Sequence, residues 1–343
     1  MTRILVTGAS GFLGRNLVEA IIQSGHEPVA WVHREASAND LRELGLEVHV
    51  GDLSATDAFR KPWLGVSTVV HLAGVVAPYS RTSTFRVNVD TTRRLAEDLG
   101  GWNSPPRFLY VSSLAAVGPS PTDSGVREQH QCIPTSIYGQ SKLAAEAALK
   151  MLADRLPVSV IRPPGVIGNW DRNLLEVYRL VRWGWNVVGI SKEFRYSFIH
   201  AEDLCRGILS IAQHGESLRG GEDPEVAGIY HVADPDPITM VQLADMVAAS
   251  LGPARVRHLR LPRPVCWGLA GISDAFGRFL GVRTFLNLDK MREAAAGSWV
   301  CDTTRVQQQL DFRVGATLAQ RIREVTHWYQ GQGWLPNVRE NAT

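Results

Sequence analysis

Residues 3–14 read Arg3-Ile4-Leu5-Val6-Thr7-Gly8-Ala9-Ser10-Gly11-Phe12-Leu13-Gly14, and this stretch decides the fold. It opens as a short apolar run typical of a buried strand, and the apolar residues at 17, 18, 21 and 22 that follow have helical spacing. The three glycines would permit a tight turn, close approach of a pyrophosphate and close packing of the helix on the strand. The phosphates would then lie at the positive end of the helix. The pattern predicts a dinucleotide-binding strand, turn and helix.

Composition limits the classes of function that need to be considered. With 343 residues, a net charge of +2 and 20% charged residues, the chain can bury a large core, and it has no basic run interleaved with aromatics. We therefore expect no nucleic-acid partner. The four cysteines are scattered without ligand spacing, which favours reduced thiols, no metal site and a cytoplasmic location. Met1 leads directly into the first strand, and no window has eighteen uninterrupted apolar residues, so neither a signal peptide nor a transmembrane segment is expected.

Strand-like and helix-like segments alternate after the glycine-rich turn. Apolar runs lie at Pro28–Val32, Val48–Val50, Thr68–Leu72, Phe108–Ser112, Val158–Arg162 and Gly228–Ala233, and amphipathic stretches lie at Phe85–Leu99 and Thr135–Leu152. This alternation predicts an α/β fold with a doubly wound parallel sheet. We expect a dinucleotide-binding domain over 1–168 and about 195–235. A smaller, mostly helical substrate domain would cover about 169–194 and 236–335.

Tyr138 and Lys142 form the most informative pair of chemical groups. They stand four residues apart in a stretch with a helical pattern, so the phenol and the ammonium can point into one site. Only five of the 36 basic residues are lysines, so this spacing is uncommon by chance. A fixed positive charge favours a phenolate, and lowering the tyrosine pKa by about 3 units takes roughly 4 kcal/mol. The pair predicts a proton shuttle for an alcohol and its ketone; the alternative is an exposed helix pair without function.

Polar and small residues stand where the other strands end. Asp52 could accept a hydrogen bond from an adenine amino group while Leu53 packs on the ring, although Asp52 could equally cap the next helix. The small residues of His71–Gly74 would let a dinucleotide pass. Ser113 ends the fifth strand, where its hydroxyl could hold a substrate oxygen. Asn88 lies in a helical stretch that disfavours asparagine, which predicts either a buried polar contact or a water site.

The motifs resemble, in their order, those of the extended short-chain dehydrogenases/reductases. They are Thr7-Gly8-x-x-Gly11-x-x-Gly14, Asp52-Leu53, His71-Leu72-Ala73-Gly74, Val87-Asn88-Val89, Ser112-Ser113, Tyr138-x-x-x-Lys142, Arg162-Pro163-Pro164-Gly165, Phe198-Ile199-His200-x-x-Asp203 and Trp299-Val300-Cys301-Asp302. The likeness implies a Rossmann domain, a smaller C-terminal substrate domain and a homodimer. It implies Tyr138 as catalytic acid and base and Ser113 as the partner of the substrate oxygen. Lys142 would bind the nicotinamide ribose and depress the tyrosine pKa.

The resemblance also implies which residues contact the cofactor. They are Gly8, Ser10, Gly11, Phe12, Leu13, Gly14, His33, Arg34, Asp52, Leu53, Leu72, Ala73, Gly74, Asn88, Val111, Tyr138, Lys142, Pro163 and Gly165. The choice between NAD and NADP is made at the end of the second strand, where NAD enzymes often place an acid for the ribose 2′-hydroxyl. Here the strand ends in His33 and Arg34, and a guanidinium suits a 2′-phosphate. The sequence therefore favours NADP over NAD.

Departures from the family pattern bear on the substrate. Leu114 stands where sugar dehydratases of this type carry an acid, and Gly165 stands where nucleotide-sugar enzymes usually place an asparagine for the diphosphate. The stretch Ser112–Pro119 is similar to that of 3β-hydroxysteroid dehydrogenases and dihydroflavonol-reductase-like enzymes. The resemblance thus favours apolar alcohols or ketones. The residues Val265, Leu269, Ile272, Phe276 and Phe279 recur at helical spacing, and we expect the segment Pro264–Val282 to help cover the substrate.

Three functions remain open at this stage. The first is an NAD(P)-dependent oxidoreductase that moves a hydride between nicotinamide and a secondary alcohol or ketone of an apolar, steroid-like or polyketide-like small molecule. The second is a sugar or nucleotide-sugar epimerase, which would use the same residues for a transient oxidation. The third is a non-catalytic dinucleotide-sensing subunit, which the intact serine, tyrosine and lysine set disfavours.

Overall fold

The computed structural model describes residues 2–53, 65–76, 80–188, 193–221, 223, 226–252, 256–280 and 287–336. The strands are β1 (Arg3–Thr7), β2 (Glu27–Val32), β3 (Glu47–Val50), β4 (Val66–His71), β5 (Arg107–Val111), β6 (Val158–Arg162), β7 (Gly165–Ile167), β8 (Trp185–Val188), β9 (Arg195–Tyr196), β10 (Phe198–His200), β11 (Ile229–His231), β12 (Ile238–Thr239) and β13 (Arg257–Arg260). The helices are α1 (Phe12–Gln23), α2 (Asn39–Glu43), α3 (Arg81–Phe85), α4 (Thr91–Gly100), α5 (Ile137–Lys150), α6 (Arg172–Arg182), α7 (Ala201–His214), α8 (Met240–Ser250), α9 (Arg263–Leu280), α10 (Leu288–Ala296), α11 (Thr304–Leu310) and α12 (Leu318–Gly331).

A seven-stranded sheet forms the centre of the fold, with the order β11-β6-β5-β4-β1-β2-β3. Each neighbouring pair in this sheet is parallel. The strand β6 is buried along its whole length, as expected of a strand covered by helices on both faces. The order reverses at β1, which places the glycine-rich turn at the point where doubly wound sheets bind ligands. The predicted doubly wound Rossmann fold is confirmed.

Side chains alternate between the two faces of the sheet. Ile4 and Val6 of β1 pack in a cluster with the apolar faces of α1 and α7, whereas Leu5 packs in a second cluster with α4 and α5. Two apolar layers therefore hold α1 and α5 at fixed positions on opposite faces. These are the helices that carry the glycine-rich turn and the tyrosine–lysine pair.

The C-terminal part builds a third cluster from α6, α8 and α12. Tyr178 and Tyr329 are fully buried there, and their rings meet edge to face at 5.2 Å between centroids. The strand β11 returns from this part of the chain to pair with β6, as the assignment of 195–235 to the dinucleotide-binding domain anticipates. The proposed domain boundaries themselves stay a prediction.

Two helical segments differ from the sequence predictions. The amphipathic stretch Phe85–Leu99 spans α3 and α4 with a π-helical turn at Arg86–Asp90 between them, and Asn88 is buried in that turn. The predicted segment Pro264–Val282 forms α9 as far as Leu280, but Val265, Leu269, Ile272 and Phe276 of its predicted apolar stripe face solvent. Its last two residues lie outside the described ranges. Among the described helices, none is long and apolar enough to cross a membrane.

Candidate active site

The backbone of the glycine-rich turn is packed so tightly that Gly8 and Gly14 have no room for a side chain. Gly8 has a φ of +74°, a conformation that favours glycine, and a Cβ there would lie 3.0 Å from the backbone nitrogen of Ala73. A Cβ on Gly14 would lie 2.2 Å from the carbonyl oxygen of Gly8. Gly11 is the exposed residue that precedes α1, so the backbone N–H groups at the start of α1 point out of the turn. The turn fits a pyrophosphate at the helix N-terminus.

The end of β4 lies beside this turn because β4 pairs with β1. The backbone nitrogen of Ala73 donates to the Thr7 hydroxyl at 3.3 Å, and Leu72 donates to the Thr7 carbonyl at 3.2 Å. His71 lies between the hydroxyls of Thr7 and Thr92 at 2.7 and 2.9 Å. Burial lowers the pKa of His71 to about 3, so the ring is neutral and acts as a structural hydrogen-bonding group.

Asn88 braces the loop that follows β4. Its Oδ1 accepts from the backbone nitrogen of Val75 at 2.7 Å, and its Nδ2 donates to the Val75 carbonyl at 3.0 Å and to the Ser141 hydroxyl at 2.9 Å. The predicted buried polar contact is therefore the one that forms. These contacts give Asn88 a positioning role, and the cofactor contact that the resemblance implies stays a prediction. Gly74 lies beside it, and a Cβ on Gly74 would lie 3.7 Å from the Lys142 ammonium.

The helix α5 is anchored at its N-terminus by a residue distant in sequence. Ser136 caps the helix by accepting from the backbone nitrogen of Gly139 at 2.9 Å. The carboxylate of Asp289, from α10, accepts from the backbone nitrogens of Ile137 at 2.8 Å and Tyr138 at 3.1 Å. A carboxylate at this end of a helix is favourable because the helix dipole is positive there. The anchor fixes the turn that carries Tyr138.

Tyr138 and Ser113 meet in the site, since both line one cavity and the Ser113 hydroxyl lies close enough to the phenol to lower its pKa. Burial raises the pKa of Tyr138, the nearby Glu293 carboxylate raises it further, and the hydrogen bond with Ser113 lowers it. The prediction of a depressed tyrosine pKa is thus wrong in direction, because the Lys142 ammonium is 5.9 Å from the ring centroid and the phenol is buried. A phenol with a raised pKa stays protonated at neutral pH, so Tyr138 carries a proton in this site.

Lys142 is buried beneath Tyr138 with its ammonium fixed. Its Nζ donates to the carbonyl of Val111 at 2.8 Å and lies 4.7 Å from the centroid of the Tyr110 ring. Burial lowers the pKa of Lys142 to about 8, and the carboxylate of Glu146 opposes this shift. Tyr138, Lys142 and Glu146 follow one another at steps of four on α5, so they lie along one helix face. The ammonium is charged at neutral pH.

Glu146 belongs to a buried ionic cluster under the site. Its carboxylate pairs with the Arg162 guanidinium at 2.6 Å, and the two side chains are 6% and 4% exposed. Arg162 makes a second contact to Glu146 through Nε at 3.1 Å, which is the fork geometry favoured by arginine. Ser112 also donates its hydroxyl to this carboxylate. The cluster ties the ends of β5 and β6 to α5.

A cavity of about 270 Å³ opens beside Tyr138 and Ser113. Its wall consists of Ser113, Leu114, Ala115, Tyr138, Pro164, Gly165, Tyr196, Ser197, Phe198, Lys290, Glu293, Ala294 and Trp299. Polar groups are few, and the Lys290 ammonium and Glu293 carboxylate pair with each other at 2.8 Å. Among the described side chains, which in α9 reach to residue 277, none from α9 lines this cavity, whereas the expectation was that 264–282 helps to cover the substrate. The helix α10 covers it instead.

The remaining predicted cofactor residues also lie at the carboxyl ends of the strands. His33 and Arg34 are exposed directly after β2, and Asp52 and the buried Leu53 follow β3. Pro163 follows β6, and its carbonyl accepts from the backbone nitrogen of Leu114 at 2.8 Å. Ser10, Phe12 and Leu13 lie in or just after the turn. The edge of the sheet thus presents a turn for a pyrophosphate, cations near a ribose and Lys142 beside Tyr138, which together fit a nicotinamide dinucleotide.

Comparison with known proteins decides the family. The model of the NAD dependent epimerase/dehydratase family matches residues 4–227, which is more than half of the chain. The chain belongs to this family. As a member of this family, and of the extended short-chain dehydrogenases/reductases, it is a nicotinamide-dependent enzyme. The match covers the glycine-rich turn, the tyrosine–lysine pair and Arg162, and it ends just before β11.

Individual relatives cover nearly the whole chain. Ceramide reductase of Caulobacter vibrioides is 28% identical over 335 residues, which covers 97% of this chain and 96% of that protein. Sterol demethylase protein B of Methylococcus capsulatus is 32% identical over 341 residues, which covers 96% and 99%. The crystal structure of UDP-glucose 4-epimerase from Thermotoga maritima superimposes with a TM-score of 0.76 at 16% identity, over 96% of this chain and 99% of that one. At this identity the last likeness concerns the fold alone.

Sequence reasoning missed several groups that build the site. The four-residue spacing from Lys142 to Glu146 could have indicated Glu146, because it continues the helix face already recognised. Asp289, Lys290 and Glu293 gave no comparable signal. They stand about 150 residues after Tyr138, and only the docking of α10 on α5 brings them to the site.

Proposed function

We propose that this enzyme transfers a hydride between nicotinamide and the secondary alcohol or ketone carbon of an apolar small molecule. The observation that carries the proposal is the cavity wall at Gly165. A Cβ on Gly165 would lie 2.8 Å from the ring of Phe198, so this ring fills the space where nucleotide-sugar enzymes usually hold an asparagine. An aromatic ring cannot replace the amide donors that a diphosphate needs. The wall therefore supports an apolar substrate.

The names of the relatives support the same class of substrate. The ceramide reductase and the sterol demethylase protein B both have names that refer to lipids, and each spans almost the whole chain. The cavity also lacks a basic cluster for phosphates, since Lys290 is paired with Glu293. A mostly apolar wall with a few placed polar groups suits a lipid-like ketone.

The proton transfer follows from the positions of Ser113 and Tyr138. The Ser113 hydroxyl accepts from the backbone nitrogen of Ala115 at 3.1 Å, which leaves its own proton to be donated. In the proposed reduction Ser113 donates to the ketone oxygen and orients it toward the phenol. Tyr138 then gives its proton to that oxygen as the carbon is reduced, and in the reverse direction it accepts the proton.

Lys142 stabilises the charge that develops on Tyr138 when it gives up its proton. Its ammonium is held by the Val111 carbonyl, so no reorganisation is needed when the phenolate forms. The residues that would hold the nicotinamide dinucleotide are those of the glycine-rich turn together with Lys142, and when bound it supplies or accepts the hydride. The ring of Tyr110 is fully buried beneath Lys142 and excludes water from that side of the ammonium.

A panel of substrates tests this proposal. We expect NADPH or NADH oxidation at 340 nm with steroid-like, flavonoid-like and long-chain ketones, and thermal stabilisation by at least one of them. UDP- and dTDP-sugars should give neither effect, because the wall at Gly165 and Phe198 offers no diphosphate ligand. Stabilisation and turnover with a nucleotide sugar, and none with any apolar ketone, would overturn the proposal and favour the epimerase.

We propose further that NADP is the preferred cofactor. Among the described side chains, neither His33 nor Arg34 has an ion-pair partner, and both stand exposed where β2 ends beside the turn. A guanidinium there can donate two hydrogen bonds to a 2′-phosphate. Two earlier predictions also stand as proposals, namely that the protein forms a homodimer and that it is cytoplasmic.

Arg34→Ala tests the cofactor preference. The Michaelis constant for NADPH should rise about tenfold or more, because each of the two charge-assisted hydrogen bonds that are lost is worth about 1.5–3 kcal/mol. The constant for NADH should change less than twofold. Arg42→Ala is the matched control, because Arg42 is exposed close by and already pairs with Glu35. An equal loss for both cofactors, or a wild-type preference for NADH, would contradict the proposal.

A further inference from the structure

Four large apolar side chains of the helix α9 point outward. Val265, Leu269, Ile272 and Phe276 are 44%, 45%, 70% and 59% exposed, and we call these four residues the α9 apolar face. Their spacing of three or four residues places them on one side of the helix. The flanking exposed positions on that side are Pro264, Gly268 and Ala275, so from 264 to 276 this side carries no charge.

The opposite side of α9 packs on α10. Cys266 and Ala270 are buried in a cluster with Met291 of α10, and the partly buried Trp267 packs against this cluster. A helix that serves only its own domain usually has a polar outer side. The outer side of α9 instead carries four large apolar residues. A contiguous exposed apolar surface of this kind marks an interaction site.

The segment that leads into the α9 apolar face is basic. Arg257, Arg260 and Arg263 are all exposed there, and the first acidic residue that follows them is Asp274, in the second half of α9. The strand β13 leads into α9 and pairs with β8, where Trp185 lies opposite Arg257 with the guanidinium 5.7 Å from its ring. Trp183, just before β8, is 79% exposed. Exposed tryptophans and arginines beside an apolar helix face are typical of segments that lie in a membrane interface.

This surface is joined to the candidate active site through α10. Met291 of α10 packs against α9, while Lys290 and Glu293 of the same helix line the cavity beside Tyr138. A partner bound at the α9 apolar face would therefore lie close to the wall of the cavity. If the substrate is apolar, as proposed above, a bilayer bound there would shorten the path of the substrate to the cavity. The α9 apolar face is exposed whether or not that proposal is correct.

We propose that the α9 apolar face binds the surface of an anionic lipid bilayer, with Arg260 and Arg263 contacting lipid phosphates. The three exposed arginines that lead into α9 favour this partner over a second copy of the chain. A two-fold contact between copies joins the same patch on both subunits, so it would bring like-charged arginine segments together. Anionic lipids instead complement the arginines while the apolar side chains enter the acyl boundary.

Vesicle co-sedimentation of the full chain tests the proposal. Wild-type protein should sediment with vesicles of phosphatidylglycerol and phosphatidylcholine mixed 3:7, and binding should fall at least fivefold with pure phosphatidylcholine. The double variant Ile272→Glu and Phe276→Glu should bind the mixed vesicles at least fivefold less. Met151→Glu is the matched control, because Met151 is 83% exposed and lies at the end of α5, so this variant should bind like wild type.

Two further measurements keep the outcomes distinct. Turnover of a short water-soluble ketone should be unchanged in the double variant, which separates a failure of docking from a failure of the proposed chemistry. Light scattering reports the oligomeric state of both proteins. Absence of wild-type binding to the mixed vesicles, or equal binding by the double variant, would overturn the proposal. A change of oligomeric state without lipid binding would assign the face to a second copy.

Discussion

Tyr138→Phe should lower kcat by about 10²-fold or more while the dissociation constant for the cofactor stays nearly unchanged. The substitution removes only the phenol oxygen, which is the proposed proton donor, and a lost general acid or base has this range of effect. The ring and its packing remain, so the fold should not change. Single-turnover rates with NADPH and a responsive ketone, together with cofactor titration by fluorescence, measure the two quantities.

Tyr110→Phe is the matched control for this variant. Tyr110 is fully buried beneath Lys142, and its hydroxyl has no hydrogen-bond partner among the described residues. Removal of this hydroxyl leaves in place the ring that faces the Lys142 ammonium, so turnover should stay within about twofold of wild type. A Tyr138→Phe enzyme with near-wild-type turnover would remove Tyr138 from the chemical step.

Glu146→Gln should lower the free energy of unfolding by about 3 kcal/mol. The Glu146–Arg162 pair is almost completely buried, and removal of one partner from such a pair typically costs about 3–5 kcal/mol because the other charge stays buried without compensation. Urea denaturation with an unchanged m value measures the difference.

A double variant separates the ion pair from the general packing of the site. Glu146→Gln with Arg162→Met removes both charges, so at least half of the lost stability should return. Arg93→Ala serves as a control, since the exposed Arg93–Glu97 pair on α4 should contribute less than about 1 kcal/mol. If the single and double variants are equally unstable, the ion pair is not the source of the effect.

The central part of the fold could be predicted because it is encoded in local patterns. The strand β6 begins and ends at the predicted residues Val158 and Arg162, since a mostly apolar run there is bounded by Pro157 and Pro163. The glycine spacing of the turn also depends only on neighbours in sequence. Where a tertiary contact decided the local structure, prediction was less accurate, as for the π-helical turn at Asn88, which holds the loop at Val75.

The pKa of Tyr138 shows why the chemistry of the site could not be predicted in full. The spacing to Lys142 correctly placed both groups on one face of α5, but the direction of the pKa shift depends on burial and on Glu293. Both of these arise from the docking of α10 on α5. The direction of the apolar stripe on α9 is a similar case, because periodicity finds a stripe but not the side that faces the domain.

By itself, the sequence determined the doubly wound sheet, the glycine-rich turn, and the placing of Ser113, Tyr138 and Lys142 in one family pattern. Only the tertiary structure decided that Asp289 anchors α5, that the ring of Phe198 fills the space beside Gly165, and that the α9 apolar face meets solvent. The physical reason is the range of the interactions. Strands, turns and helix faces follow from residues a few positions apart, whereas burial, the pKa of Tyr138 and the cavity wall depend on side chains brought together from about 30 to 150 positions away.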